Sequence, residues 1–290
     1  MDWSRAKVIL ILAFSLLNIF LGVLTYSNNQ RYYERWAVPT AAEVRNLENQ
    51  LKTLGVTMAG TWPLRAAPLP FLLVKASPVP ADEVARKVFG LNVPGIKQPN
   101  GEKIYSDGQQ TLLVTEAGII RYHREGPAKP AGGKAPEKGQ VKTEAETVLQ
   151  RRGLLPGARL DYIHQDEERG RTTVRYSQVY EGLEIFSSEA WFEFSANGLE
   201  EYRERWLVPL GFTGEKRLLV SPVVALARLL QRPDVFPGDD KVIESITVGY
   251  YSAIYDARQW EATPVWRVRF KSGKSLYLNA YTGEPEKETP

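Results

Sequence analysis

The sequence predicts an α+β protein: a single N-terminal transmembrane helix followed by two lobes in which antiparallel sheets are packed with helices. Three observations lead there. An uncharged apolar run near the N-terminus is long enough to cross a bilayer. Beyond it, short helices with recognisable caps alternate with strands of period two. That unit, a capped helix followed by strands turning on a glycine, recurs along the chain.

The apolar run is Val8 to Tyr26, 19 residues without a charge. At about 1.5 Å per residue its helix reaches roughly 28 Å, close to the hydrocarbon thickness of a bilayer. A cleaved secretory signal normally has a shorter apolar region ending in small residues. Here the run ends Leu24-Thr25-Tyr26-Ser27-Asn28, which favours a retained anchor. Residues 1–7 form a short tail, 8–26 the membrane helix, and 27–39 a juxtamembrane segment whose Tyr32, Tyr33 and Trp36 suit the headgroup layer. Arg5 and Lys7 face Arg31 and Arg35 across the span, so the positive-inside signal is nearly balanced. No later run is long and apolar enough to cross again, which puts residues 27–290 on one side.

Within the span, Ile11, Ser15, Asn18, Gly22 and Thr25 recur at spacings of 4, 3, 4 and 3. They therefore fall on one helix face, smaller and more polar than the rest. Small residues let a second helix approach closely, and an Asn at membrane depth gains by hydrogen-bonding across the contact. The plainer reading is an Asn merely tolerated in an apolar span. Polar groups at that depth generally point toward protein, which favours a partner-contact face.

The rest of the chain is large enough for one or two cores. The net charge is +3, of which Asp2, Arg5 and Lys7 supply one unit, and no long single-sign run exists. Nucleic-acid binding thus lacks its usual electrostatic footprint. Cysteine is absent, excluding disulfides, thiolate metal ligands and thiol catalysis.

A first lobe is expected over 40–126. Thr40 and Glu43 form a capping box for a helix over 41–54, closed by Gly55. Val44, Leu47, Leu51 and Leu54 make its apolar stripe, which two heptads assign to an intramolecular core rather than to a coiled coil. A second helix spans 80–90, before strands around 112–115 and 119–123 that turn at Ala117-Gly118. Segment 127–139, with no apolar residue larger than Ala or Pro, reads as a linker or loop.

The second lobe covers 140–290. Thr143 and Glu146 suggest another capping box, for a helix ending at Gly153. Strands dominate 159–210, with a tight hairpin at Ser195-Ala196-Asn197-Gly198. Ser221 and Pro222 open a fourth helix, followed by strands at 242–254, 264–271 and 275–281. Arg267, Arg269 and Lys271 alternate with Trp266, Val268 and Phe270, the pattern of a half-buried strand with a cationic outer face.

Catalytic chemistry finds little support. His123 and His164, 41 residues apart, have no neighbouring ligand partners, so no metal site is expected. No G-x-S-x-G turn or phosphate-cradling glycine loop occurs, and acidic pairs such as Asp166-Glu167, Glu200-Glu201 and Asp239-Asp240 read as solvated loop charges. Catalytic, cofactor-binding and metal-binding residues are therefore all expected to be none. The adjacent Tyr250 and Tyr251 point to opposite faces of a strand, hinting that one lies on a binding surface.

The opening Met1-Asp2-Trp3-Ser4-Arg5-Ala6-Lys7, running straight into the apolar helix, resembles the YycI family. These are single-pass Gram-positive proteins with one anchor and an extracytoplasmic α+β region. The closing Lys271-Ser272-Gly273-Lys274-Ser275-Leu276-Tyr277-Leu278-Asn279-Ala280-Tyr281-Thr282-Gly283-Glu284 looks like the end of a PepSY-type unit, here about 221–285. The resemblance implies a non-enzymatic, membrane-anchored regulator of a WalK-type sensor histidine kinase in control of cell-wall metabolism. It acts beside a YycH-like sister protein, with a cytoplasmic N-terminus and residues 27–290 extracytoplasmic. PepSY character alone would instead imply an envelope-binding or protease-inhibiting module.

Overall fold

The computed structural model describes residues 7, 11–24, 38–64, 67–90, 93–125, 134–230, 241–252 and 257–286. Residues 11–24 are helical (α1). There follow α2 (Ala41–Thr53), β1 (Thr57–Met58), β2 (Leu69–Ala76), α3 (Ala81–Phe89), β3 (Ile96–Lys97), β4 (Lys103–Ser106), β5 (Gln110–Val114) and β6 (Ile119–Arg124). Helix α4 (Lys138–Arg152) precedes β7 (Ala158–Asp166), β8 (Arg171–Tyr180), β9 (Leu183–Ser195), β10 (Gly198–Arg205) and β11 (Leu207–Arg217). Last come α5 (Pro222–Leu229), β12 (Val242–Tyr251), β13 (Trp260–Phe270) and β14 (Ser275–Asn279).

The architecture is mixed α+β, with the strands joined in one large sheet. Its main path runs β11-β2-β13-β12-β9-β10-β6-β5-β4-β3, with β7 and β8 leading off β9, β14 beside β13 and β1 beside β12. Pairing is antiparallel except at β1–β12 and β12–β9. The β12–β9 join is short, pairing Gly249 with Glu184 and Tyr250 with Ile185. A Cβ at Gly249 would sit 2.5 Å from the Glu184 carbonyl oxygen and 2.7 Å from the Phe186 ring. Only glycine permits this approach.

Two main cores form, and neither is continuous in sequence. One packs α3 and α4 on β4–β6 and β8–β10, around Tyr105, Leu112, Ile120, Val174, Phe192 and Phe194. The other packs α2 and α5 on β12–β14, around Leu47, Leu51, Leu226, Trp266, Val268 and Phe270. The expected division at 127–139 does not coincide with these cores. Segment 41–76 belongs with the C-terminal strands, because β2 inserts between β11 and β13.

Local signals explain most element ends. The Thr40 hydroxyl accepts from the Glu43 amide at 3.2 Å while the Glu43 carboxylate accepts from the Thr40 amide at 2.7 Å, completing the box at α2. Gly90 and Gly153 end α3 and α4 in the left-handed conformation. The Ser221 hydroxyl caps α5 by accepting from the Val224 amide. Thr143 is a correction: it lies inside α4, where its hydroxyl donates back to the Gly139 carbonyl at 3.1 Å. The helix starts at Lys138, so residues 138–139 of the expected linker are helical. Residues 134–137 are also tied down, since Ala135 is buried and the Thr172 hydroxyl donates to the Pro136 carbonyl at 2.7 Å. Residues 127–133 lie outside the described set, as do 27–37 of the juxtamembrane segment.

The cationic side of β13 also differs from expectation. Arg267 is buried and Arg269 largely covered, with side chains only 4% and 11% exposed. The Asp161 carboxylate on β7, 4% exposed, accepts from Arg267 at 3.0 Å and Arg269 at 2.5 Å and lies 3.7 Å from Arg175. Arg267 also meets Glu184 at 3.3 Å and stacks over Phe186, its guanidinium 4.3 Å from the ring centroid. Beside it Tyr251 stacks on Tyr277, ring centroids 4.6 Å apart. Tyr250 and Tyr251 are therefore both buried, not split between core and surface, because both faces of β12 are covered.

Removing one partner of a buried charge cluster leaves the others uncompensated, typically at about 3–5 kcal/mol. Asp161→Ala should therefore lower unfolding stability by about 3 kcal/mol or more. Urea denaturation followed by tryptophan fluorescence measures it, and a loss below about 1 kcal/mol would mean that the guanidiniums find water instead.

Candidate functional site

A groove of about 530 Å³ opens between α3 and α4 over the first core. Val84 and Val88 of α3 form one wall and Val148 of α4 the other. Leu112, Ile120 and Leu199 floor it from β5, β6 and β10. Three cations line it as well: Lys87 on α3, and Arg151 and Arg152 on α4. Both helices follow one rule, with a valine toward the groove and a cation three residues later, Val84 to Lys87 and Val148 to Arg151. Residues so spaced are neighbours on one face.

The polar groups around this groove are largely answered. Arg152 donates twice to Glu204, at 2.8 Å from Nε and 2.7 Å from Nη2, and the Tyr202 hydroxyl donates to the same carboxylate at 2.5 Å. Glu204 is 2% exposed. Hydrogen bonding to Glu204 raises the Arg152 pKa, against the opposing effect of burial, so the guanidinium stays charged. Burial, reinforced by Glu204, pushes the Tyr202 phenol well above its ordinary value, so it stays a neutral donor. The Tyr122 hydroxyl donates to Gln110 at 2.9 Å. At the other wall Lys87 pairs with Glu83 at 2.8 Å, and the Glu83 carboxyl is held below its usual range mainly by Lys87, with a smaller share from Arg152. Among the described residues no acidic group pairs with Arg151.

Of the transmembrane contact face, α1 places Ile11, Ser15, Asn18 and Gly22 along one side, all exposed, and Thr25 lies outside the described residues. A Cβ added at Gly22 would meet nothing within 4 Å. Among the described residues no helix is long and apolar enough to cross a membrane; residues 8–10 and 25–26 of the expected span are outside that set. His123 stands 3.6 Å from Glu201 on an exposed strand face, and His164 lies on β7. No group of three or more His, Asp or Glu able to hold a metal occurs among the described residues. Asp166 closes a turn by accepting from the Arg169 amide at 3.0 Å, and the Glu167 carboxylate accepts from Gln165 at 2.8 Å. Asp239-Asp240 lies outside the described residues.

Sequence reading did not single out the groove. Its one local signal is the repeated valine-to-cation spacing, and Arg151-Arg152 before Gly153 reads equally as charges complementing a helix C-terminus.

The Glu204–Arg152 pair ties the end of α4 to the sheet, so its two members should be energetically coupled. Glu204→Leu alone should cost about 3 kcal/mol, and the double variant with Arg152→Met distinctly less than the sum. A double-mutant cycle on urea unfolding should return a coupling of about 1–3 kcal/mol; additive losses would show that the pair does not hold α4.

No curated protein matches this chain. Among solved structures it is similar to an uncharacterized protein from Eubacterium rectale ATCC 33656, at 12% identity over 83% of this chain and 99% of that one, with a TM-score of 0.50. The C-terminal domain of Bacillus megaterium YpeB matches at 12% identity over 71% of this chain and 94% of that domain, with a TM-score of 0.37. The first likeness concerns the fold alone. The family model described as YycI protein matches residues 39–281, most of the chain, and this protein therefore belongs to the YycI family of regulators associated with the WalK (YycG) two-component system.

Proposed function

We propose that this chain is a membrane-anchored, extracytoplasmic regulator of a WalK-type sensor histidine kinase. It acts by protein–protein contact with the kinase and a YycH-like sister protein, in control of cell-wall metabolism. The observation that carries this reading is family membership over residues 39–281. Two further features support it. Val8 to Tyr26 is uncharged and of bilayer length. The described part of that run is helical and exposed all round.

Helix-to-helix contact in the membrane is the proposed means. Lipid tails are as apolar as leucine, so association there relies on close packing and polar pairing rather than on the hydrophobic effect. The face of Ile11, Ser15, Asn18, Gly22 and Thr25 offers both. Asn18 supplies a hydrogen bond of about 0.6–2 kcal/mol, and Gly22 the room for a neighbouring backbone.

The double variant Asn18→Leu with Gly22→Leu should insert normally and lose most of its crosslinking to the kinase or sister-protein helices in membranes. Undiminished crosslinking would move the contact to the region after residue 27. Topology has its own assay: protease added to intact protoplasts should digest residues 27–290. Digestion only after lysis would reverse the proposed orientation.

A further inference from the structure

We propose that the groove between α3 and α4 is a binding site for a free fatty acid, its hydrocarbon chain on the valine walls and its carboxylate on Arg151. The cavity fits a small molecule. Its volume of about 530 Å³ lies within the range of roughly 300–1,000 Å³ typical of such sites, whereas a protein partner of standard size covers about 800 Å² of surface.

Charge complementarity selects the headgroup. Of the three cations at the groove, Lys87 is answered by Glu83 and Arg152 by Glu204, and no acidic residue is among those lining the cavity. Arg151 remains, one charge without a protein counterpart among the described residues. A planar guanidinium favours a planar carboxylate, which it can hold through two parallel hydrogen bonds. The walls select the rest of the ligand, because Val88, Val148 and Leu199 present accessible hydrocarbon over the buried Val84, Leu112 and Ile120, while the polar lining groups of Gln110, Tyr122 and Tyr202 already have hydrogen-bond partners. A chain laid there gains about 0.8 kcal/mol for each methylene buried. A cationic ligand would gain nothing from Arg151, and a purely polar one nothing from the walls.

The test uses the full chain in nanodiscs of uncharged phosphatidylcholine and a palmitate analogue carrying a photoreactive diazirine. After irradiation, mass spectrometry should find label on peptides from Ala81–Phe89 and Lys138–Arg152, displaced several-fold more effectively by unlabelled palmitate than by hexadecanol or a hexadecyl ammonium salt. Label within residues 8–26, from probe dissolved in the bilayer, should resist displacement. Arg151 is exposed on α4, so Arg151→Glu should fold as the parent does and weaken displaceable labelling about fivefold or more. Absence of displaceable label on those two helices would overturn the proposal, as would equal displacement by the uncharged or cationic competitor, or unchanged labelling of Arg151→Glu.

Discussion

The fold depends on how one carboxylate, Asp161, is shared. Two cores, built from interleaved stretches of the chain, meet where β12 pairs with β9 over only two residue pairs, beside a smaller apolar cluster of Leu72, Val74, Ile185, Leu207, Tyr250 and Ala262. Asp161 crosses this join in space, since it belongs to β7 of the first half and binds Arg267 and Arg269 on β13 of the second. Arg267 closes the circuit by returning to Glu184, the residue paired with Gly249 at the join itself. Three guanidiniums at this depth cannot be left to water. Their desolvation is offset only when acidic partners and aromatic faces are in place together, which requires both halves to be docked.

This coupling changes what the surface can be. The back of the first half remains a half-exposed lattice of cross-strand charges, such as Arg171 with Glu193 and Arg203 over Trp191. The back of the second half is covered instead, by Phe186, Tyr251, Val265 and Tyr277 around Arg267. An aromatic count therefore says little about binding in this molecule, because most of its rings are spent in the cores and a few, such as Phe186, cover a buried cation. The open space lies on the opposite side, where α3 and α4 share one sheet face without filling it.

Local chemistry was legible in sequence and spatial partnership was not. The Thr40–Glu43 box, the Gly90 and Gly153 terminators, the Ser221 cap and the hairpin at 195–198 act within four residues, and each stands where its residues place it. Thr143 failed because a Thr three residues before a Glu looks the same at a cap and inside a helix, where the hydroxyl turns back to Gly139. Alternation along β13 was read correctly, yet its cationic face was assigned to water. The acidic partners that reverse that assignment lie about eighty to a hundred residues earlier, at 161 and 184. The interleaving of cores was hidden for the same reason, since nothing within 69–76 says that it pairs with 207–217 and 260–262. The groove is a gap between two helices, and a gap has no residues of its own to read.

On the proposed reading, a regulator that acts by contact changes a kinase through free energies of binding. On the proposed reading α1 supplies contact in the membrane, and a constant contact carries no information about conditions outside. Information enters only where a second equilibrium is linked to the first, and linkage is reciprocal: a ligand that binds the kinase-bound form tenfold more tightly strengthens kinase binding by the same factor, about 1.4 kcal/mol. The groove is suited to such an input because its walls belong to two separate helices on one sheet. Glu204 fixes the end of α4 through Arg152, whereas Asp82 at the start of α3 is held by Tyr105 at 2.6 Å and Lys103 at 3.0 Å from β4. Any occupant must touch both walls, so it would report on their spacing. The Asp161 cluster then provides the firm connection between that sheet and the half carrying α2, the described helix that follows α1 in the chain.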